Sequence, residues 1–312
     1  MKRFRNILLA AGGEGWEQSS LQKAAALAGN NRARLTVVDV LEELPRDLRK
    51  LVTAVHPGDL QKLAVSERRK QLERLLAPFK RSGLQVSATV LAGKPFLEII
   101  RKVLRNKHDL VIKAANKDGG LKTMVFGSTD MHLMRKCPCP VWVVQPTHQK
   151  KYARIMAAVD LDPDDKNGNA LSVKIMELAA SLAHREESQL HVVHAWNLSG
   201  EKMLVMRGGL SHGDVEGLAR SLRAEHARWL DELVDTCVPG TPASRIHLLK
   251  GAADALIPQA AKREKIDLVV MGTVGRAGIA GLLIGNTAEK ILHQVECSVM
   301  TVKPDGFVSP VK

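Results

Sequence analysis

The chain has 312 residues, 45% hydrophobic and 25% charged, the balance of an ordinary globular protein with room for two domains, each burying its own core. A net charge of +13 invites an acidic partner, yet only 3% of residues are aromatic, with a single tyrosine, so a base-stacking platform is absent and nucleic-acid binding is not expected. No apolar run reaches the roughly 18–20 residues needed to cross a bilayer, so no membrane insertion is expected.

In chain order, the basic residues 2–5 lead into an apolar run, Ile7–Ala11, that meets Gly12 and Gly13. That run is too short for a signal peptide and reads as a first strand. Leu35–Val40, Val86–Leu91, Leu110–Ala114 and Val141–Val144 read as the remaining strands of the first half. Ile155–Val159, Leu190–Ala195, Arg245–Leu249, Leu268–Met271 and Val299–Val302 take those places in the second. Helical periodicity fills the gaps. Leu72, Leu75 and Leu76 form an apolar face opposite the solvated residues 68–70, and Val215, Leu218, Ala219, Leu222, Trp229, Leu230 and Leu233 lie along one stripe. Such alternation predicts an α/β fold: doubly wound parallel sheets with right-handed crossovers, which bind ligands beyond the carboxyl ends of their strands.

The chain repeats itself. An offset of 158 places Leu91 on Leu249, Gly93 on Gly251, Asp109 on Asp267, Gly127 on Gly285, Thr129 on Thr287, Cys139 on Cys297 and Pro146 on Pro304. Near the start the offset is 148, pairing Ile7 with Ile155 and Ala10 with Ala158. The reading is a tandem duplication with domains at 1–148 and 152–312, divided in the polar stretch 146–151.

The most informative motif follows the fourth strand of the second half: Gly272, two residues, Gly275, nine residues, Gly285, then Asn286 and Thr287 at the start of a helix. Glycine lets the backbone approach a phosphate, and a helix N-terminus offers free N–H groups and a favourable dipole. The spacing is neither that of a Walker A loop nor of a dinucleotide fingerprint. It resembles the ATP-binding motif of the universal stress protein family. The segment 271–276 and the tail 303–310 resemble its tandem, two-domain members.

That resemblance covers essentially the whole chain and implies an adenine-nucleotide alpha-hydrolase-like sandwich, its two halves packed as a pseudo-dimer through their last strands. It implies an ATP-binding regulator or sensor in stress survival, including DNA damage, with Mg²⁺ as an optional companion. Carried onto the second half, Asp160 falls near the adenosine and Ala195 where backbone groups meet the adenine. Met271, Gly272 and Gly275 would line the ribose and phosphate loop. Gly285, Asn286 and Thr287 would donate to the phosphates. The family usually has Ser or Thr after the last glycine; Asn286 stands here, and its amide still donates. In the first half, Ala114 replaces Gly272, Lys117 replaces Gly275 and Gly12 replaces Asp160, leaving only Gly127, Ser128 and Thr129. The first half therefore reads as degenerate.

No catalytic residue is expected. Gly12, Gly13 and Glu14, or Leu161, Asp162 and Pro163, place no nucleophile or general base against a phosphate. Slow ATP hydrolysis is one alternative; a carrier of some other anionic ligand, held by the first half, is another. No metal site is expected: Asp162, Asp164 and Asp165 lack the pattern of a calcium loop, and His191 and His194, three apart on a strand, point to opposite faces. Trp142, Trp196 and Trp229 read as packing residues. Cys137 and Cys139 lack the spacing of a redox or zinc pair, Cys297 reads as a buried thiol, and four cysteines make no disulfide framework, which suits a cytoplasmic protein. Self-association and unidentified protein partners complete the expectation.

Overall fold

The computed structural model describes residues 4–12, 16–42, 57–115, 126–145, 151–198, 200–201, 203, 211–273 and 284–312. The chain divides into two compact units: Arg3–Lys150 together with Phe307–Lys312, and Lys151–Gly306. The last six residues thus belong with the first-half unit, where the Arg101 side chain donates to the Lys312 carbonyl at 3.0 Å.

The first unit runs β1 (Asn6–Ala11), α1 (Trp16–Asn31), β2 (Arg34–Leu41), α2 (Pro57–Arg81), β3 (Val86–Ala92), α3 (Pro95–Asn106), β4 (Leu110–Ala114), α4 (Ser128–Lys136) and β5 (Val141–Val144). The second runs β6 (Arg154–Val159), α5 (Lys166–Glu186), β7 (Gln189–Trp196), α6 (His212–Cys237), a short 3₁₀ turn (Ala243–Arg245), β8 (Ile246–Lys250), α7 (Ala253–Arg263), β9 (Leu268–Gly272), α8 (Asn286–Leu292) and β10 (Ser298–Val302). Both units show the same parallel strand order, β3-β2-β1-β4-β5 and β8-β7-β6-β9-β10. The direction of winding switches between β1 and β4, and again between β6 and β9.

The strands are continuous apolar runs because both sheet faces are covered. Ile7, Leu8, Leu9 and Ala10 have no exposed surface, nor do Leu268, Val269 and Val270. The repeated aspartates have a structural job at the amino ends. Asp109 accepts the main-chain N–H groups of Arg5 and Asn6 at 2.6 and 3.0 Å. Asp267 accepts those of Ala153 and Arg154 at 2.7 and 2.9 Å. Each carboxylate staples the entry of the first strand to that of the fourth, so the carboxyl ends come out level.

Three sequence expectations shift. Arg245 ends the 3₁₀ turn rather than opening β8. On α6, Leu218 is 46% exposed, and His226 takes a place on the buried face instead. On α2, Leu72 and Leu76 are fully buried but Leu75 is exposed, and Arg68 leaves the solvated face to pair with the buried Asp39 of β2. Among the described residues no helix is long and apolar enough to cross a membrane.

Candidate functional site

Strand register aligns the carboxyl edge of the second unit. Ala158 is level with Met271, Val159 with His194, and Val302 with Gly272. One row further on, Ala195, Asp160, Thr273 and Lys303 therefore stand side by side at the ends of β7, β6, β9 and β10. This row spans the switch point between β6 and β9, where an open sheet leaves a crevice for a ligand. Asp160 is exposed and Ala195 half-buried. Met271 is 3% exposed and belongs to the core.

The main chain after β6 is fixed by α5. The Asp160 N–H donates to Ser172 Oγ at 3.2 Å, and Ser172 Oγ donates to the Asp160 carbonyl at 2.7 Å. The neighbouring acidic residues serve the start of that helix rather than a cation. Asp165 caps it by accepting the Gly168 N–H at 2.9 Å, and Asp162 accepts the Asp164 N–H at 3.0 Å. Gly272 lies close beneath the same helix, and a Cβ there would stand 2.8 Å from Leu171 Cδ2. Its small size thus serves helix–strand packing as well as the loop.

The helix that carries the last glycine is brought back over the strand edge. The Gly285 N–H donates to the Thr273 carbonyl at 2.8 Å, closing the base of the loop. Gly285 is the N-cap of α8, and no side chain caps the helix. Asn286 and Thr287 follow as exposed residues, and the third helical position is Ala288. The start of α8 thus has no side-chain cap at its N-cap residue, and Glu289 is the acidic residue of its first turn. Gly275 and Arg276 lie outside the described residues.

Two residues here escaped sequence reasoning. Lys303, only 2% exposed, donates its ammonium to the hydroxyl of the fully buried Thr273, setting a cation at the base of the loop. Lys174 of α5 donates to the Lys303 carbonyl at 3.0 Å and so ties the end of β10 to α5. The sequence held one signal: Lys303 is a cation closing an apolar strand at the position where the first half has Gln145.

The first unit is built differently at the same place. Gly127 again caps its helix, but the third helical position is Asp130, whose Oδ2 accepts the Gly127 N–H at 3.1 Å. Its Oδ1 lies 2.8 Å from the Lys113 ammonium, and both side chains are almost completely buried. Lys113 occupies the position of Met271, and Asp130 that of Ala288. Ala114 is buried where the second half has Gly272. Lys117 lies outside the described residues.

The histidines of β7 divide as expected. His194 Nε2 meets His226 Nδ1 at 2.8 Å, and His226 stacks on Trp196 and meets Trp229 edge-on. His191 turns to the other face, toward His247. The thiols are poorly placed for chemistry. Cys137 and Cys139 have their sulfurs 3.6 Å apart, and that contact together with burial holds the Cys139 thiol well above its ordinary value. Burial pushes the Cys297 thiol up to about 12. Neither forms the reactive thiolate near neutral pH.

The family model described as Universal stress protein family matches residues 3–145 and again residues 151–303. Universal stress protein E of Photorhabdus laumondii is 25% identical over 315 residues, covering 100% of this chain and 99% of that one. Universal stress protein E of Escherichia coli K12 is 27% identical over 321 residues, covering 100% and 98%. Among solved structures, a protein of Pseudomonas aeruginosa PAO1 described as functionally unknown superimposes with a TM-score of 0.66 at 26% identity, covering 97% of this chain and 93% of that one. A universal stress protein from Archaeoglobus fulgidus shares the fold, with a TM-score of 0.60 at 16% identity over 96% and 98%.

Proposed function

The chain belongs to the universal stress protein family, and on that premise we propose that it is a stress-response regulator whose second half binds an adenine nucleotide, ATP by the family resemblance. The observation that carries this reading is the uncapped start of α8, held over the switch-point crevice by the bond from Gly285 to Thr273. An anion there meets the first N–H groups of a helix without a side-chain cap at Gly285 and the positive end of its dipole, with the Lys303 ammonium at the loop base. Asn286 and Thr287 add side-chain donors at the rim. Asp160 and Ala195, in one row on the neighbouring strands, are placed to meet the nucleoside. Met271 supports this floor from the core.

The residues fit a nucleotide: among the described residues of the row there is no histidine or cysteine, and its one carboxylate, Asp160, stands on the side assigned to the nucleoside. The reading is therefore of a switch, in which occupancy biases a conformation or a partner surface, with hydrolysis slow at most. A carrier role for the first half is disfavoured by Asp130, which already occupies the start of α4 with a carboxylate of the protein itself.

Calorimetric titration of the full chain with ATP, with and without Mg²⁺, tests the reading. One site per chain is expected, lost in Gly275→Val, where a branched side chain enters the loop, and kept in Gly127→Val. No binding, or equal loss in both variants, would overturn it.

A further inference from the structure

Well away from the carboxyl edge, the amino halves of β7 and β8 gather three side chains that nucleotide binding leaves unused. His191 is the third residue of β7 and His247 the second of β8. Val193 is level with His247, and side chains alternate along a strand, so both imidazoles lie on one sheet face. Their rings are parallel to within 1°, with His191 Nδ1 and His247 Nε2 3.0 Å apart. Glu264, the residue that ends α7, completes the group. One ligand atom from each of the three residues lies within 4.8 Å of the other two.

His191 is 5% exposed, and its Nε2 is buried with no hydrogen-bond partner among the described residues. No choice of tautomer cures this. With the proton on Nε2 a donor goes unmet; with the proton on Nδ1 an acceptor does. The donor set itself is the facing pair, His191 Nδ1 and His247 Nε2, beside the Glu264 carboxylate; the unmet Nε2 marks His191 as a polar side chain the core does not fully satisfy.

We propose that His191, His247 and Glu264 bind one divalent transition-metal ion of the zinc class, with a fourth position open to water. The facing nitrogens already stand near the span of about 3.3 Å that two ligands take on a tetrahedral ion at roughly 2.0–2.1 Å. Burial holds both imidazoles below their ordinary pKa, so their lone pairs are available at neutral pH. Glu264 is held ionised chiefly by the Arg263 guanidinium, 2.7 Å away. Its side chain is 26% exposed at a helix end, which leaves it free to close the remaining distance. The surroundings also select the ion. Arg154 and Arg245 act on His191, and Arg263 on His247. Three guanidinium groups repel a hard cation held by charge alone, such as Ca²⁺ or Mg²⁺. An ion that bonds strongly to imidazole nitrogen tolerates them.

The test uses the full chain, freed of metal with a chelator and titrated with zinc chloride in the absence of nucleotide. Cobalt substitution then reports the coordination geometry by absorption. One equivalent of Zn²⁺ is expected. Affinity should fall at least tenfold, on the order expected for metal-site changes, in both His247→Asn and Glu264→Gln, and should be unchanged in His226→Asn, a buried histidine outside the group. Glu264→Gln alters a partly exposed residue at a helix end and keeps the fold, which its melting curve checks. No stoichiometric binding, or an affinity in His247→Asn and Glu264→Gln unchanged from that of the parent chain, would overturn the site. Because no nucleotide is present, the outcome is independent of the reading at α8.

Discussion

At the start of α4, Gly127 is followed by an aspartate at the third helical position, and that carboxylate returns to the Gly127 N–H while holding the buried Lys113 ammonium. At the start of α8, Gly285 is followed by Ala288 at the same position, Met271 stands where Lys113 stood, and Gly285 gives its N–H to Thr273 instead. The two helices descend from one repeat, yet one has a carboxylate at its third position and the other an alanine. Two residues separate them, and they are complementary: an internal carboxylate needs an internal cation, and neither is tolerated alone in a dry core. On the proposed reading, a half loses its ligand site by satisfying it internally as much as by losing loop glycines.

The largest expected effect comes from breaking that pair. Asp130→Ala leaves the Lys113 ammonium buried without its carboxylate and should cost about 3–5 kcal/mol of stability, read by chemical denaturation. The double variant Lys113→Met/Asp130→Ala copies the second half and should recover most of that loss. If the double variant is no more stable than the single one, the ion pair is not what holds this end of the first unit.

The reverse exchange tests the second half. Met271→Lys/Ala288→Asp supplies α8 with its own anion, and ATP affinity should fall at least tenfold, more than about 1.4 kcal/mol, by calorimetry. Unchanged affinity would place the phosphates elsewhere.

A smaller effect is expected at the polar tethers between the second strand and the following helix. The first unit uses Asp39 with Arg68, and the second uses His194 with His226. Arg68→Ala strands a largely buried carboxylate and should cost about 1–3 kcal/mol. A change below experimental error would show that water replaces the guanidinium there.

The smallest effect concerns acid sensitivity. His108, buried between α3 and β4 and in contact with the Asn6 carbonyl, corresponds to Ile266 in the second half. Burial lowers its pKa below the ordinary 6.5. A base depressed in the folded state contributes stability that is fully present above the unfolded pKa. That contribution is lost as pH falls through it, because the unfolded chain takes up the proton first. His108→Ile should therefore flatten the decline in stability between about pH 7 and pH 5. An unchanged slope would assign the decline to other groups.

Much of this protein was legible from its sequence. Buried parallel strands read as apolar runs because both faces are covered, so the strand sequence and the duplication could be seen directly. The repeat of Asp109 at Asp267 and the level ends of β6, β7 and β9 follow from the same register, which is why Asp160, Ala195 and Gly272 come together. What local pattern could not supply is contact across the sheet. Periodicity placed Leu218 in the core and left His226 out, but the buried face of α6 depends on where His194 meets it. His191 and His247 are 56 residues apart, so no spacing rule joins them; the register of β7 on β8 does. The roles of Asp130 and Lys303 likewise depend on which strand end lies beside which helix. Neighbours along the chain determined the elements of this fold, and only the alignment of strands decided which charges, imidazoles and open helix ends share a site.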